Sequence, residues 1–259
     1  MKRFFLILHK FTYLPVPKKL IANGEELPKA IRDLPLLGLF CGAIIYLSSR
    51  LFTVMPATGA AAAMLGINIL LGGAFLIRDL ITVADGLSVK PLYPPNVAVQ
   101  SAGNFVNAKE LAEKQRRFNA GPAGLIWGMV WIIGLYFLYL WYFRSNIISN
   151  IAFICAPVIS RWLMSWTIFY FYAVPPAWLH RNFSRRDFYI ASLLALLFVL
   201  PFSRPALYMS IIVSFLGVYL FATYRQRSVG ALDDSCYGAV CAWAEILFLL
   251  GWMTFARFL

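Results

Sequence analysis

Charged residues stand inside or at the mouth of long apolar runs in this chain, where an ionised group is costly and marks a candidate site. In Gly72 to Gly86, GGAFLIRDLITVADG, an apolar run passes directly into Arg78, Asp79 and Asp85. Read as a helix, Arg78, Thr82 and Asp85 fall at i, i+4 and i+7 and share one face, while Asp79 points about 100° away from Arg78. Asp79 and Asp85 therefore do not form a simple carboxylate pair. A carboxylate beside an arginine makes a charge pair or grips a phosphate. Alone it is a poor magnesium site, because magnesium takes one or two carboxylates together with substrate phosphates and water. A second acidic cluster, Asp233 and Asp234, leads into the last apolar run. Continued as a helix it puts Asp234, Cys241 and Glu245 on one face, with Glu245 inside the apolar segment. A lone intramembrane glutamate is either hydrogen-bonded structure or part of a polar site, and Arg161, deep in another run, is its obvious counter-charge. Asp85, Asp234, Glu245 and Arg161 together could outline one polar cavity.

The elements that must position these groups are membrane helices. Of 259 residues 61% are hydrophobic and 17% aromatic, and the mean hydropathy is +0.72, far above a soluble domain. The expected fold is all-α and polytopic. Seven runs approach the roughly 20 residues needed to cross about 30 Å of hydrocarbon: Leu34 to Met55, Ala57 to Ile77, Ala123 to Phe143, Ile147 to Val174, Phe188 to Leu200, Ala206 to Tyr224 and Ala239 to Leu259. The fourth could be two helices kinked at Ser160-Arg161 and the fifth is short, so six to eight crossings are compatible with the sequence. Residues 1–259 read as a single membrane domain, with 1–33 an interfacial N-terminal segment retained rather than cleaved, and 86–121 a loop too small for its own core.

The net charge of +12 could suggest nucleic acid, but its placement argues against it. Seven Lys and Arg precede the first run, none separate the first two, and six lie between the second and third. That alternation follows the positive-inside rule. It places the N-terminus, the 86–121 loop, the loop around Arg185 and the Asp233-Asp234 loop in the cytoplasm, so the polar cavity would open there. Anionic lipids and phosphate-bearing substrates are the partners such a surplus attracts. Four cysteines without a CxxC pair and two histidines make a zinc or iron–sulfur site a poor reading.

The chain resembles the cobalamin synthases, adenosylcobinamide-GDP ribazoletransferases, nearly end to end. Phe11-Thr12-Tyr13-Leu14-Pro15-Val16-Pro17 is similar to the family's FxTRLPVP start, and Leu34 to Gly38 with Gly42 to its P-L-x-G-xxx-G helix. Asp85-Gly86 matches the end of HLDGLADTxDG, Gly121 and Gly124 its R-x-GxxG turn, Ser160-Arg161 its helix-borne arginine, and Gly238-Ala239 through Glu245 to Leu250 its closing GAxxELxELxxLL. The departures fall on charged positions. Arg78 and Thr82 replace two aspartates, Tyr13 replaces an arginine, Arg117 and Asn119 stand for an aspartate and an arginine, and the aspartate of TGDxxGA comes one residue early. The resemblance implies a magnesium-dependent enzyme of a bacterial or archaeal plasma membrane. It would join alpha-ribazole or its phosphate to adenosylcobinamide-GDP and release GMP. Asp85, Asp234 and Glu245 would be its catalytic residues and metal ligands, Arg161 and Arg78 its phosphate holders, and Asp85 its least replaceable carboxylate.

The alternative is a non-catalytic or repurposed homologue, a membrane scaffold or complex subunit, since the exchange to Arg78 and Thr82 moves the formal charge of that face from −3 to 0. A homo-oligomer is compatible with either. A transporter with Glu245 and Arg161 at its midplane lacks a visible inverted repeat. A CDP-alcohol phosphotransferase would follow Asp85-Gly86 with Ala-Arg, where this chain has Leu87-Ser88.

Overall fold

The structure is a computed structural model that describes residues 2–17, 19, 26–88, 121–145, 151–171, 183–202, 204–229, 232 and 234–256, and the regular structure among them is helical. In lipid every backbone polar group must be satisfied within the chain, which is why apolar runs of this length take up helix. The α-helices are α1 (Lys2–Phe11), α2 (Leu27–Ala30), α3 (Leu34–Leu51), α4 (Ala57–Asn68) and α5 (Ala74–Ser88). They are followed by α6 (Pro122–Arg144), α7 (Ala152–Tyr170), α8 (Arg185–Val199), α9 (Pro205–Val229) and α10 (Asp234–Phe255). The expected all-α membrane architecture is what the chain forms.

Among the described residues five helices are long and apolar enough to cross a membrane, built on α3, α6, α7, α9 and α10, and a sixth results if α4 and α5 count as one bent span. Six falls within the expected six to eight crossings, and two of the seven runs take a form that differs from a straight span. The run at Phe188 to Leu200 becomes α8 with a helical turn to Phe202 after it, and the opening Arg185, Arg186 and Asp187 leave an apolar stretch shorter than a span. The run at Ala57 to Ile77 breaks at residues 69–73, and α5 turns 80° away from α4. Gly72 makes the break with φ 141°, a backbone region that side chains disfavour. The carbonyl of Leu71 at the break takes the Cys41 thiol at 3.7 Å. The fourth run, by contrast, holds one continuous helix through Ser160-Arg161.

The centre of the bundle is α7, flanked by α3, α8, α9 and α10. Gly38 and Gly42 of α3 lie directly on the α7 backbone: a Cβ on Gly42 would come within 2.8 Å of the Ile154 carbonyl, and one on Gly38 within 2.7 Å of Val158 Cα. This is small-residue packing, which replaces the missing hydrophobic drive between helices in lipid. The segment expected to be interfacial forms α1, whose Leu6, Ile7, Leu8 and Phe11 are buried against α2 and the start of α3.

Several contacts gather one end of the bundle. Arg3 of α1 bonds Glu26 at 2.8 Å, and Arg32 before α3 faces Asp187 of α8 at 3.7 Å. Gly121 before α6 meets Asp85 of α5, and Gly238 of α10 meets Asp79 of α5. The N-terminal region and the starts of α6, α8 and α10 therefore share the end across which α5 runs. They are the regions that the charge pattern groups on one side.

Candidate phosphate-binding mouth

The helix α5 organises this end because its two aspartates each reach the start of another helix. The Asp85 carboxylate accepts the Gly121 N–H at 2.7 Å and the Gly124 N–H at 2.6 Å. Those donors belong to the first turn of α6, whose own N-cap residue is Gly121 and offers no side chain. Asp85 thus caps α6 from across the chain, satisfying donors that a helix start otherwise leaves open. A Cβ at Gly121 or Gly124 would strike that carboxylate, so the glycines there make room for the clamp. On another face of α5, as the helical spacing requires, the Asp79 side chain is 3% exposed and packs on Gly238, where a Cβ would overlap it.

Arg78 points outward, its side chain 62% exposed and its Nη2 at 3.5 Å from Asp79, with the guanidinium 5.6 Å from the Phe75 ring centre. Beside it opens a groove of about 420 Å³ lined by His9, Lys10, Thr12, Tyr13, Phe75 and Arg78 together with residues 14–16. Its positive charge comes from Lys10 and Arg78, and its aromatic surface from Tyr13 and Phe75. Such a groove can hold a phosphate through point charges and a ring system against aromatic faces.

Arg161 lies behind this groove and closed off from it. It is 7% exposed, and its Nη1 donates to the Pro157 carbonyl at 3.2 Å and to Ser160 Oγ at 3.4 Å. The cavity it lines, with Phe11, Phe75, Met164 and Cys241, is about 10 Å³, room for about one water. Phe75 stands between the two spaces and packs edge-on against Phe11 at 5.3 Å. A phosphate does not fit beside Arg161 in this arrangement. Glu245, 2% exposed, accepts from Asn68 Nδ2 at 2.6 Å, and the same nitrogen lies 2.7 Å from Tyr139 Oη. It is a buried polar node joining α4, α6 and α10. Arg161 and Glu245 both lie in the interior, yet among the described residues neither forms an ion pair. Asp234 begins α10 and is exposed.

The structure therefore does not bring Asp85, Asp234 and Glu245 together as one ligand set. Among the described residues no three His, Cys, Asp or Glu side chains are grouped to hold a metal. Asp85 is occupied by two backbone donors, Glu245 by Asn68 in the middle of the bundle, and Asp234 lies at the mouth. A magnesium ion shared with substrate phosphates needs only one or two carboxylates, a requirement that does not depend on such a three-residue group among the described residues. Arg117, Asn119, Asp233 and the 86–121 loop up to residue 120 lie outside the described residues, apart from the helical end of α5. Sequence reasoning left Asp79 without a role. The available signal was its place about 100° round α5 from Arg78, on a face that the broken helix turns inward.

A family model described as cobalamin-5-phosphate synthase matches residues 3–93 and 116–253 of the chain. The chain is 24% identical over 263 residues to the adenosylcobinamide-GDP ribazoletransferase of Desulfitobacterium hafniense, covering 97% of this chain and 96% of that one. It is 25% identical over 273 residues to the enzyme of that name from Vibrio cholerae, covering 98% and 94%. It is 27% identical over 161 residues to that of Acinetobacter baumannii, covering 62% and 59%. No solved structure matches the chain.

Proposed function

That the chain belongs to the cobalamin-5-phosphate synthase family is the premise from which we propose that it is a membrane ribazoletransferase of cobalamin biosynthesis, acting on adenosylcobinamide-GDP. The observation that carries the reading beyond family membership is the groove at the mouth. It holds two cations and two aromatic rings at the end where the matched motifs converge. A diphosphate bearing a nucleobase is the class of substrate such a surface suits.

In the reaction, the hydroxyl of alpha-ribazole forms a P–O bond to the cobinamide-bound phosphorus. The phosphoanhydride bond breaks, and GMP leaves with the bonding electron pair. Arg78 and Lys10 neutralise phosphate oxygens on which charge builds. Asp234 sits about one helical turn from Gly238, the residue against which Asp79 packs beside Arg78. Exposed at the start of α10, it takes the hydroxyl proton in this reading. Asp85 acts indirectly, by fixing α5 to α6 and so aiming Arg78. Arg161 and Glu245 hold the interior. The mouth faces the cytoplasm of a plasma membrane, as the surplus of Lys and Arg at that end argues.

Replacing Arg78 by Gln removes a charge-assisted phosphate contact worth about 1.5–3 kcal/mol. The expected result is a rise of about tenfold or more in KM for adenosylcobinamide-GDP, with KM for alpha-ribazole near that of the wild type. An unchanged KM for the nucleotide substrate would remove the groove from the mechanism.

A further inference from the structure

Arg225, in the last turns of α9, is 4% exposed, and among the described residues its Nε and Nη1 are buried without a hydrogen-bond partner. Buried guanidinium groups are held by carboxylates or carbonyls, because an uncompensated buried charge is strongly destabilising. Here Ser228 Oγ bonds the carbonyl of Arg225, at 3.2 Å, and leaves its side chain unserved. The position of the orphan group follows from the pairing of α9 with α10. Gly217 of α9 packs on Leu247, and Gly251 of α10 packs on Ser210. The same antiparallel register, continued along α9, carries Arg225 to the level of residues 236–239. That is the level of Gly238, which holds Asp79 next to Arg78. A cation with vacant donors thus stands inside the bundle at the height of the mouth.

We propose that Arg225 is a phosphate-binding residue that receives phosphate oxygens at the mouth end of the bundle. Its guanidinium offers several charged N–H donors to such oxygens, and Nε and Nη1 are the two left vacant among the described residues. Two sources carry this chemistry: the diphosphate of a soluble substrate, in which case the assignment rests on the transferase reading, and the phosphodiester of an anionic lipid. Either one supplies the missing acceptors, and ligand-free protein carries the cost of the unpaired charge.

The test uses the full chain in nanodiscs and reads the melting temperature, a binding readout that does not depend on turnover. One arm adds inorganic pyrophosphate or GMP to nanodiscs of phosphatidylcholine alone. The other replaces part of that lipid by phosphatidylglycerol. The wild type is expected to gain stability in one arm, which identifies the source. Arg225→Met should melt at or above the wild type without ligand and lose most of the ligand shift, while Arg225→Lys keeps part of it. A ligand shift retained in full by Arg225→Met overturns the proposal. So does equal loss in the Met and Lys variants when both melt well below the wild type, because the side chain is then only structural. Failure of GMP release would refute the transferase reading without altering this result.

Discussion

Asp85→Asn separates the role that the resemblance implies for Asp85 from the role its contacts give it. A metal ligand can lose its charge while the fold stays intact. In the structure both carboxylate oxygens accept backbone N–H groups, from Gly121 and Gly124 at 2.7 and 2.6 Å. An asparagine can accept only one of these, and its NH₂ then faces the other donor. The variant loses a charge-assisted hydrogen bond worth about 1.5–3 kcal/mol and a negative charge at a helix start worth about 0.3–1 kcal/mol. A total of about 2–4 kcal/mol corresponds to a fall in melting temperature on the order of 5–15 °C in a chain of this size. Melting in detergent by scanning fluorimetry gives the number. Gly124→Ala, whose Cβ would meet the same carboxylate, should show a similar loss by pushing the clamp apart. Combined with Asp85→Asn it should lose less than the sum, since both break one contact. An Asp85→Asn variant that melts with the wild type would refute the capping role and return Asp85 to the ligand reading.

Asn68→Ala removes the donor at 2.6 Å from the buried Glu245. It should cost about 3 kcal/mol, with Asn68→Ala and Glu245→Gln non-additive in a melting double-mutant cycle. Below about pH 4 α1 should loosen. The Arg3 hydrogen bond holds Glu26 below its ordinary value, so the tie is present above the unfolded value and is lost as pH falls through the lowered one. Hydrogen exchange in α1 should rise there, while Glu26→Gln shows the faster exchange already at neutral pH, a small effect as expected for an exposed pair. A cysteine placed at Ser228 should resist an impermeant thiol reagent added outside intact cells. The four native thiols are buried, so labelling there would reverse the orientation.

The helices were legible because apolar length and spacing fix them: α3, α6, α7, α9 and α10 lie where the runs are, and Asp79 and Asp85 stand on different faces of α5 as their spacing requires. The break at Gly72 was not legible. The run from Ala57 to Ile77 has the composition of a single span, and a glycine at positive φ leaves no trace in hydropathy. That break decides the site, since it swings α5 across the mouth and turns Asp79 onto Gly238. Acid at a helix start reads the same whether it binds a metal or caps a neighbour. Only the positions of Gly121 and Gly124 against Asp85 tell these apart. Arg161 reads as the counter-charge of Glu245, and its hydrogen bonds instead go to Pro157 and Ser160 of its own helix. Arg225 passed as one more topogenic cation, because its burial depends on how α9 meets α10.

The central claim is turnover. Purified chain in nanodiscs, given adenosylcobinamide-GDP and alpha-ribazole, should release GMP in step with disappearance of ribazole, with magnesium varied from none to millimolar. The expected result is ribazole-dependent GMP release that Arg78→Gln slows at low nucleotide substrate and that high nucleotide substrate restores. No GMP release at any magnesium concentration, from protein that melts cooperatively and still binds adenosylcobinamide-GDP, would contradict it and leave the chain a non-catalytic member of its family.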